Sequence, residues 1–288
     1  MRKNKSINQK VADRLREAAD LLEQQAANPF RVNAYRNAAD TVSALKEDLR
    51  DIIEQKGIDG LTELPKIVSG IAAAINEILR TGSWSQLARL RGALEPEKLF
   101  QTVPGIGPEL AKLIHDTLHV DTLEALEQAS HDGRLESVPG IGRRRATMIR
   151  ASLESMLGRT RGRRLQAVDG PSINLLLNVD EEYRKKAKAN KLPTITPKRF
   201  NPEGEAWLPI LHTQRGSWHF TVLFSNTARA HELGRTHDWV VIYFYDNHHE
   251  EGQHTVVTET RGPLIGRRVV RGRERESREY YAELNKPH

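Results

Sequence analysis

Cysteine is absent from the 288 residues, so disulfides, thiolate zinc sites and a cysteine nucleophile are all excluded. Long apolar runs are missing too. The longest, Trp239 to Tyr245, falls far short of the roughly 20 residues a membrane-spanning helix needs. Basic residues open the chain at Arg2, Lys3 and Lys5. Amphipathic sequence follows where a signal peptide would carry an apolar block, which predicts a cytoplasmic, nucleoid-associated protein without membrane contact. With 38% hydrophobic and 28% charged residues the composition is that of a globular protein, and the length suits two or three domains.

Charge is unevenly placed. The formal net charge is +6, yet Arg143 to Arg164 alone holds eight arginines against Glu154, a local balance of +7. A concentrated cationic segment in a neutral background is the footprint of a phosphate-binding surface, with a solvated linker as the bland alternative.

Up to about Leu157 the periodicity is helical. Ile7, Val11, Leu15, Ala18 and Leu22 recur three and four apart and form one apolar stripe. Asn28 is placed to cap a second helix that has Pro29 at its first position, with Phe30, Ala34, Tyr35, Ala38, Val42 and Leu45 as the expected buried face. Further helices are expected near Gly60 to Pro65, Ile71 to Arg80, Ser83 to Gly92, Glu97 to Gln101, Pro108 to Thr117, Leu123 to Ala129 and Arg143 to Met156. The expected fold is thus multidomain α and α+β. All-α domains span residues 1–92 and 93–158, a basic linker spans 159–170, and an α+β domain with a mostly antiparallel sheet spans 171–288. In that last domain Trp218 to Phe224 and Trp239 to Tyr245 read as strands, the second of them central. Thr255 to Thr260 and Arg267 to Val270 read as a β-hairpin about Gly262-Pro263. Ser225 to Leu233 reads as a short helix, and a basic helix from about Glu274 to Leu284 closes the chain. The sequence places Trp207, Trp218 and Trp239 in the core.

Two pentapeptides repeat 35 residues apart, Val103-Pro104-Gly105-Ile106-Gly107 and Val138-Pro139-Gly140-Ile141-Gly142. Each lies between helical patterns. Glycine is needed twice because the backbone turns sharply and also approaches a phosphate closely, while the isoleucine pins the turn inward. Outward-facing N–H groups at the start of the next helix then make an anion site that carries no base information. The expected DNA-binding set is Gly105, Ile106, Gly107 and Lys112 from the first copy, and Gly140, Ile141, Gly142, Arg143, Arg144 and Arg145 from the second. Arg161, Arg163 and Arg164 of the linker join them. Cations at a helix start oppose the helix macrodipole, so three arginines there call for an external anion.

Taken with NPFRVNAYRNAA (Asn28 to Ala39), Leu64-Pro65, Thr81-Gly82, VPGIGPELAKLI (Val103 to Ile114) and ASHDGRLESVPGIG (Ala129 to Gly142), residues 6 to about 155 resemble the helical N-terminal portion of family X DNA polymerases. The resemblance implies a lyase-like domain followed by a fingers-like domain that hold DNA near gaps or ends. Three departures stand out. The chain has no Asp-x-Asp pair to hold the family's two catalytic metal ions, and beyond Gly158 it does not look like a palm domain. Ala74 stands where the family's Schiff-base lysine is implied, with Gly70 and Gln86 at the positions of supporting lysines, and Tyr35 matches a family tyrosine beside that pocket. Lys66-Ile67-Val68 replaces the Gly-x-Gly of the lyase-domain hairpin, so phosphate contact is expected to shift to the other two.

The remainder, Leu165 to His288, resembles no family recognised in its sequence. His231 and Asp238 are the least bland catalytic candidates in a histidine-rich stretch, though no metal-ligand spacing occurs there and neither metal nor cofactor is expected. His115 and His119, four apart, read as a solvated helix face. His248 and His249 read as a solvated loop. Arg267, Arg268 and Arg271 are candidates for a second DNA contact, weighed against ion pairs with Glu274, Glu276 and Glu279. The expected partner is DNA, double-stranded or gapped and bound without sequence preference, with a protein partner for the second domain as a further expectation. The leading reading is an accessory factor in DNA repair or end and gap recognition. The rival is a nuclease or phosphoesterase with its active site in the second domain.

Overall fold

The computed structural model describes residues 5–157, 170–246 and 251–284. The described residues divide into two units, 5–157 in one and 170–246 with 251–284 in the other. The linker arginines Arg161, Arg163 and Arg164, and the pair His248-His249, lie outside the described residues.

The first unit is all-helical. Helix α1 (Ile7–Gln24) starts where Ser6 accepts from Gln9 N, and it buries Val11, Leu15, Ala18 and Leu22 as one stripe. It packs along α2 (Pro29–Ala44), whose first turn is fixed by Asn28 and Pro29. The α2 stripe is rotated from the expected one. Arg31, Val32, Tyr35, Ala38, Ala39 and Val42 face inward, whereas Phe30 is 85% exposed and Ala34 and Leu45 are half-buried. α3 (Leu49–Lys56), capped by Asp48 and stopped by Gly57 at φ 69°, was not apparent from periodicity. Next come α4 (Asp59–Thr62), α5 (Ser69–Thr81) and α6 (Ser85–Leu90). The tandem that follows comprises α7 (Pro96–Phe100), α8 (Pro108–Leu118), α9 (Leu123–His131), a 3-10 turn (Arg134–Ser137) and α10 (Arg143–Met156). Its core is continuous, with Phe100, Ile114, Leu126, Leu135, Ile149 and Leu153 at its centre.

The second unit is α+β. α11 (Ile173–Lys188), capped by Ser172, precedes β1 (Thr194–Ile195), β2 (Leu208–Arg215) and β3 (Trp218–Phe224). After α12 (Ala228–Glu232) come β4 (Val240–Tyr245), β5 (Gly252–Thr258), β6 (Arg268–Val270) and α13 (Glu274–Leu284). The strands form a six-stranded meander in sequence order, antiparallel at every pair, with β3 and β4 in the middle. Strand β4 is buried on both faces, as its unbroken apolar sequence requires. Between β5 and β6 the chain reverses through a 3-10 turn at Gly262–Leu264. Helix α13 holds two arginines against four glutamates and is therefore acidic, not basic. Trp207, Trp218 and Trp239 are half-buried, not core.

Helix α11 lies against the face of the sheet that carries Phe224 and Arg268. The buried Tyr183 hydroxyl donates to Pro209 O (2.9 Å) and accepts from Phe224 N (2.8 Å), so one side chain ties the helix to two strands. Burial pushes this hydroxyl well above its ordinary pKa, which keeps it a donor.

Candidate nucleic-acid interface

The repeated pentapeptides form the same turn. Gly105 has φ 89° and Gly140 φ 83°, left-handed values that a side chain opposes. Each turn closes through an isoleucine N–H, Ile106 to Val103 O at 3.1 Å and Ile141 to Val138 O at 3.0 Å. Both isoleucines are buried, at 5% and 4% exposure, so the expected inward pin is in place. Gly107 and Gly142 then begin α8 and α10 in extended conformation, φ −86° and −88°.

What faces outward is bare backbone. A Cβ built at Gly107, Gly140 or Gly142 would meet no atom within 4 Å. Neither α8 nor α10 has a side-chain cap, a lack they share with α4 to α7, whereas α1, α2, α3, α9 and α11 are capped by Ser6, Asn28, Asp48, Thr122 and Ser172. The first amides of the two hairpin helices are therefore left to an external acceptor. Around them Lys112, Arg143, Arg144 and Arg145 are exposed. Arg143 is 94% exposed, its nearest carboxylate being Glu136 at 3.9 Å, and Arg145 donates to Gly140 O at 3.0 Å. Arg150 is drawn away from the group, because it is half-buried and donates to Ser130 O.

A third turn has the same path. Lys66 sits at φ 63°, Ile67 is buried and its N–H reaches Leu64 O at 3.3 Å, and Val68 opens α5 at φ −84°. This turn thus keeps the backbone geometry of the other two without their glycines. Val68, 53% exposed, puts a branched side chain where the other two turns present a glycine, which narrows the approach to the amides. Beside it, Ala74 is buried, Tyr35 donates its hydroxyl to Gln86 Oε1 at 2.8 Å, and Trp84 packs on Tyr35 at 5.6 Å between centroids. Ala74, Tyr35, Gln86 and Trp84 thus belong to a packed, hydrogen-bonded interior.

His115 is not on a solvated face. Its side chain is 1% exposed, with Nδ1 at 3.1 Å from Glu97 Oε1 and Nε2 at 2.9 Å from Asp121 Oδ1. Burial on its own lowers the imidazole pKa, but the two carboxylates outweigh it and push the value up to about 9. His119, half-buried at φ 53°, is the left-handed cap of α8.

In the second unit the arginine candidates separate. Arg267 and Arg268 point to opposite sides. Arg267 is exposed and lies over the Tyr281 ring at 5.1 Å. Arg268 is 13% exposed and binds Asp180 through Nε (3.0 Å) and Nη2 (2.6 Å), Asp238 through Nη1 (2.6 Å), and Thr258 and Val256 O besides. It is an internal tie, not a surface for DNA. Arg271 pairs with Glu259 at 2.9 Å and with the anticipated Glu274 at 3.8 Å. The catalytic candidates are likewise not brought together by any shared contact. Asp238 serves Arg268 and Thr258, while His231 Nε2 lies 2.6 Å from Asn226 Oδ1. Among the described residues no group of three His, Cys, Asp or Glu side chains is arranged to hold a metal ion, and no helix is long and apolar enough to cross a membrane.

Comparison with known proteins agrees with this geometry. Residues 6–84 match the helix-hairpin-helix domain family, and residues 97–155 match the SAM-like helix-hairpin-helix tandem family. The DNA polymerase/3'-5' exonuclease PolX of Bacillus subtilis (strain 168) is 29% identical over 134 residues, covering 46% of this chain. That stretch is 22% of the length of PolX. The first half of the chain therefore consists of helix-hairpin-helix domains of the kind that family X DNA polymerases carry.

Proposed function

We propose that the chain is a DNA-binding protein that grips the sugar-phosphate backbone through its tandem hairpins, independently of sequence, and acts as an accessory factor in DNA repair at gaps or ends. The observation that carries this reading is the pair of open glycine turns at Gly105 and Gly140. Each leads into a helix whose first amides no side chain caps, and the second is followed by three exposed arginines. Amides aimed at a phosphate oxygen position the duplex and read no base edge.

A polymerase or lyase role is not supported by these residues. The chain lacks an Asp-x-Asp pair, and Ala74 has no amine to form a Schiff base. The similarity to PolX is confined to the hairpin-bearing half, which favours a shared way of holding DNA over a shared reaction.

The decisive measurement is binding to intact, nicked, gapped and flapped duplexes of several sequences. Gly140→Val with Gly142→Val should weaken every duplex alike, by tenfold or more for the loss of two phosphate contacts at roughly 1 kcal/mol each. Unchanged binding would remove the hairpins from the account. Incubation with DNA and Mg²⁺ or Mn²⁺ tests the nuclease rival: no cleavage is expected, and cleavage lost in His231→Ala or Asp238→Ala would establish the rival instead.

A further inference from the structure

The loop between β1 and β2 presents a side chain that packing does not explain. Phe200 holds φ 52°, a left-handed conformation that a bulky residue adopts only at a cost in backbone energy. A ring held there for the core would be buried, yet Phe200 is 44% exposed. The loop around it is not loose. Asn201 Nδ2 donates to Pro197 O (2.9 Å) and Glu205 O (2.8 Å), its Oδ1 accepts from Glu205 N (3.1 Å), and Asn226 Nδ2 donates to Arg199 O (3.0 Å). An exposed aromatic ring is thus kept in a strained position by a rigid frame.

Behind that ring lies a second flat group. The His231 imidazole packs on Phe200 in a tilted arrangement, 4.3 Å between centroids and 32° between planes, and Trp207 meets His231 edge-on at 6.4 Å and 88°. Because the Asn226 amide nitrogen serves a carbonyl, its oxygen faces His231, and Nε2 of the ring must carry the proton. Burial and the nearby Arg199 hold the imidazole pKa below its usual value, which favours the uncharged ring. The Arg199 guanidinium lies over the Phe200 ring, 5.3 Å from its centroid, so the ring already holds a flat cationic group.

We infer that Phe200, backed by His231 and Trp207, is a stacking site for an unpaired nucleobase, which takes the place of the Arg199 guanidinium over the ring. The choice of a nucleobase rests on the DNA-binding reading of the hairpins; the flatness, exposure and rigidity of the site stand without it. Stacking tolerates any base, because every base has a π-face, and a frame already ordered loses little freedom on binding. Between Lys198 and Glu205 the charges balance, Lys198 and Arg199 against Glu203 and Glu205. Binding here therefore draws on stacking, and it keeps its strength in salt that weakens the hairpins.

The test uses the full chain with three probes: a short oligothymidylate, a blunt duplex, and the same duplex with a single-stranded overhang. Phe200→Ala should lower affinity for the oligothymidylate and the overhang about tenfold, as loss of one stacked base requires, and leave the blunt duplex unchanged. Phe200→Trp should retain binding. Phe200→Gly removes the ring and relieves the left-handed strain together, so it should abolish the stacking contribution while the unfolding temperature is kept or raised, which excludes misfolding as the cause. Oligothymidylate affinity unaltered by Phe200→Ala overturns the assignment. The hairpin reading fails separately, if Gly140→Val with Gly142→Val leaves the blunt duplex bound.

Discussion

Lys66 occupies a conformation that its two counterparts, Gly105 and Gly140, adopt at no steric cost. A side chain at φ 63° destabilises the turn, and nothing in its exposed surroundings repays the cost. Lys66→Gly should therefore stabilise the protein by about 1 kcal/mol, read as a rise in the denaturant midpoint with unchanged slope. A loss of stability would mean that the lysine makes a compensating contact. The glycine pattern alone marks this turn as degenerate, because sequence reports which residue is favoured in a left-handed position and not whether the backbone goes there regardless. Here the buried Ile67 holds the turn, and isoleucine stands at the same place in all three copies. Phe30 shows the opposite case. An aromatic residue reads as core, but the buried stripe of α2 is phased by Arg31 and Val32, and Arg31 is a residue that a hydrophobic pattern counts as surface.

At the scale of elements, buried charges fasten neighbours together, and each is testable. His115 on α8 joins Glu97 of α7 to Asp121 beyond the helix end. Its folded pKa of about 9 lies above the ordinary 6.5, so the protonated ring is the stabilised form. The contribution, about 3 kcal/mol, is fully present below pH 6.5 and is lost as pH rises through about 9. The His115 ring resonance should titrate near 9, and His115→Gln should cost most at pH 6 and progressively less toward pH 10. A titration near 6.5 would remove the argument. In the second unit, Arg268 holds Asp180, whose side chain is 1% exposed, between α11 and the sheet. Arg268→Ala leaves that carboxylate with Arg184 alone and should cost about 3 kcal/mol, measured by urea unfolding. The same charge explains why α11 escapes a reading of periodicity. Its buried face runs Ile173, Leu176, Leu177, Asp180, Tyr183, so an acid interrupts the apolar series, and Gly170-Pro171 ahead of it reads as linker. Strand β2 is concealed by Pro209, a residue that argues against a strand and is accommodated here opposite the two-residue β1. By contrast β3 and β4 are plain in the sequence, since aromatic and β-branched residues fill them without interruption.

For the whole molecule the decisive quantity is where the positive charge sits. Residues 143–164 carry +7 while the rest of the chain sums to −1, so along the sequence the attraction to a polyanion is concentrated in the stretch that begins at the second hairpin. The C-terminal arginines add little to it, because Arg268 and Arg271 are committed to Asp180, Asp238 and Glu259. Counterion release then makes a quantitative demand: each phosphate neutralised contributes about 0.9 to the slope of log affinity against log salt. Arg143 and Arg144 are exposed on the opening turn of α10, whereas Arg145 already donates to Gly140 O. Replacing all three by glutamine should lower the slope by about 2, not 3, and weaken binding uniformly across duplex sequences. Arg267→Gln with Arg271→Gln should leave the slope within error of the parent. Equal effects from the two sets would mean that DNA also lies on the second unit through its arginines, and the hairpins would no longer be the dominant electrostatic contact.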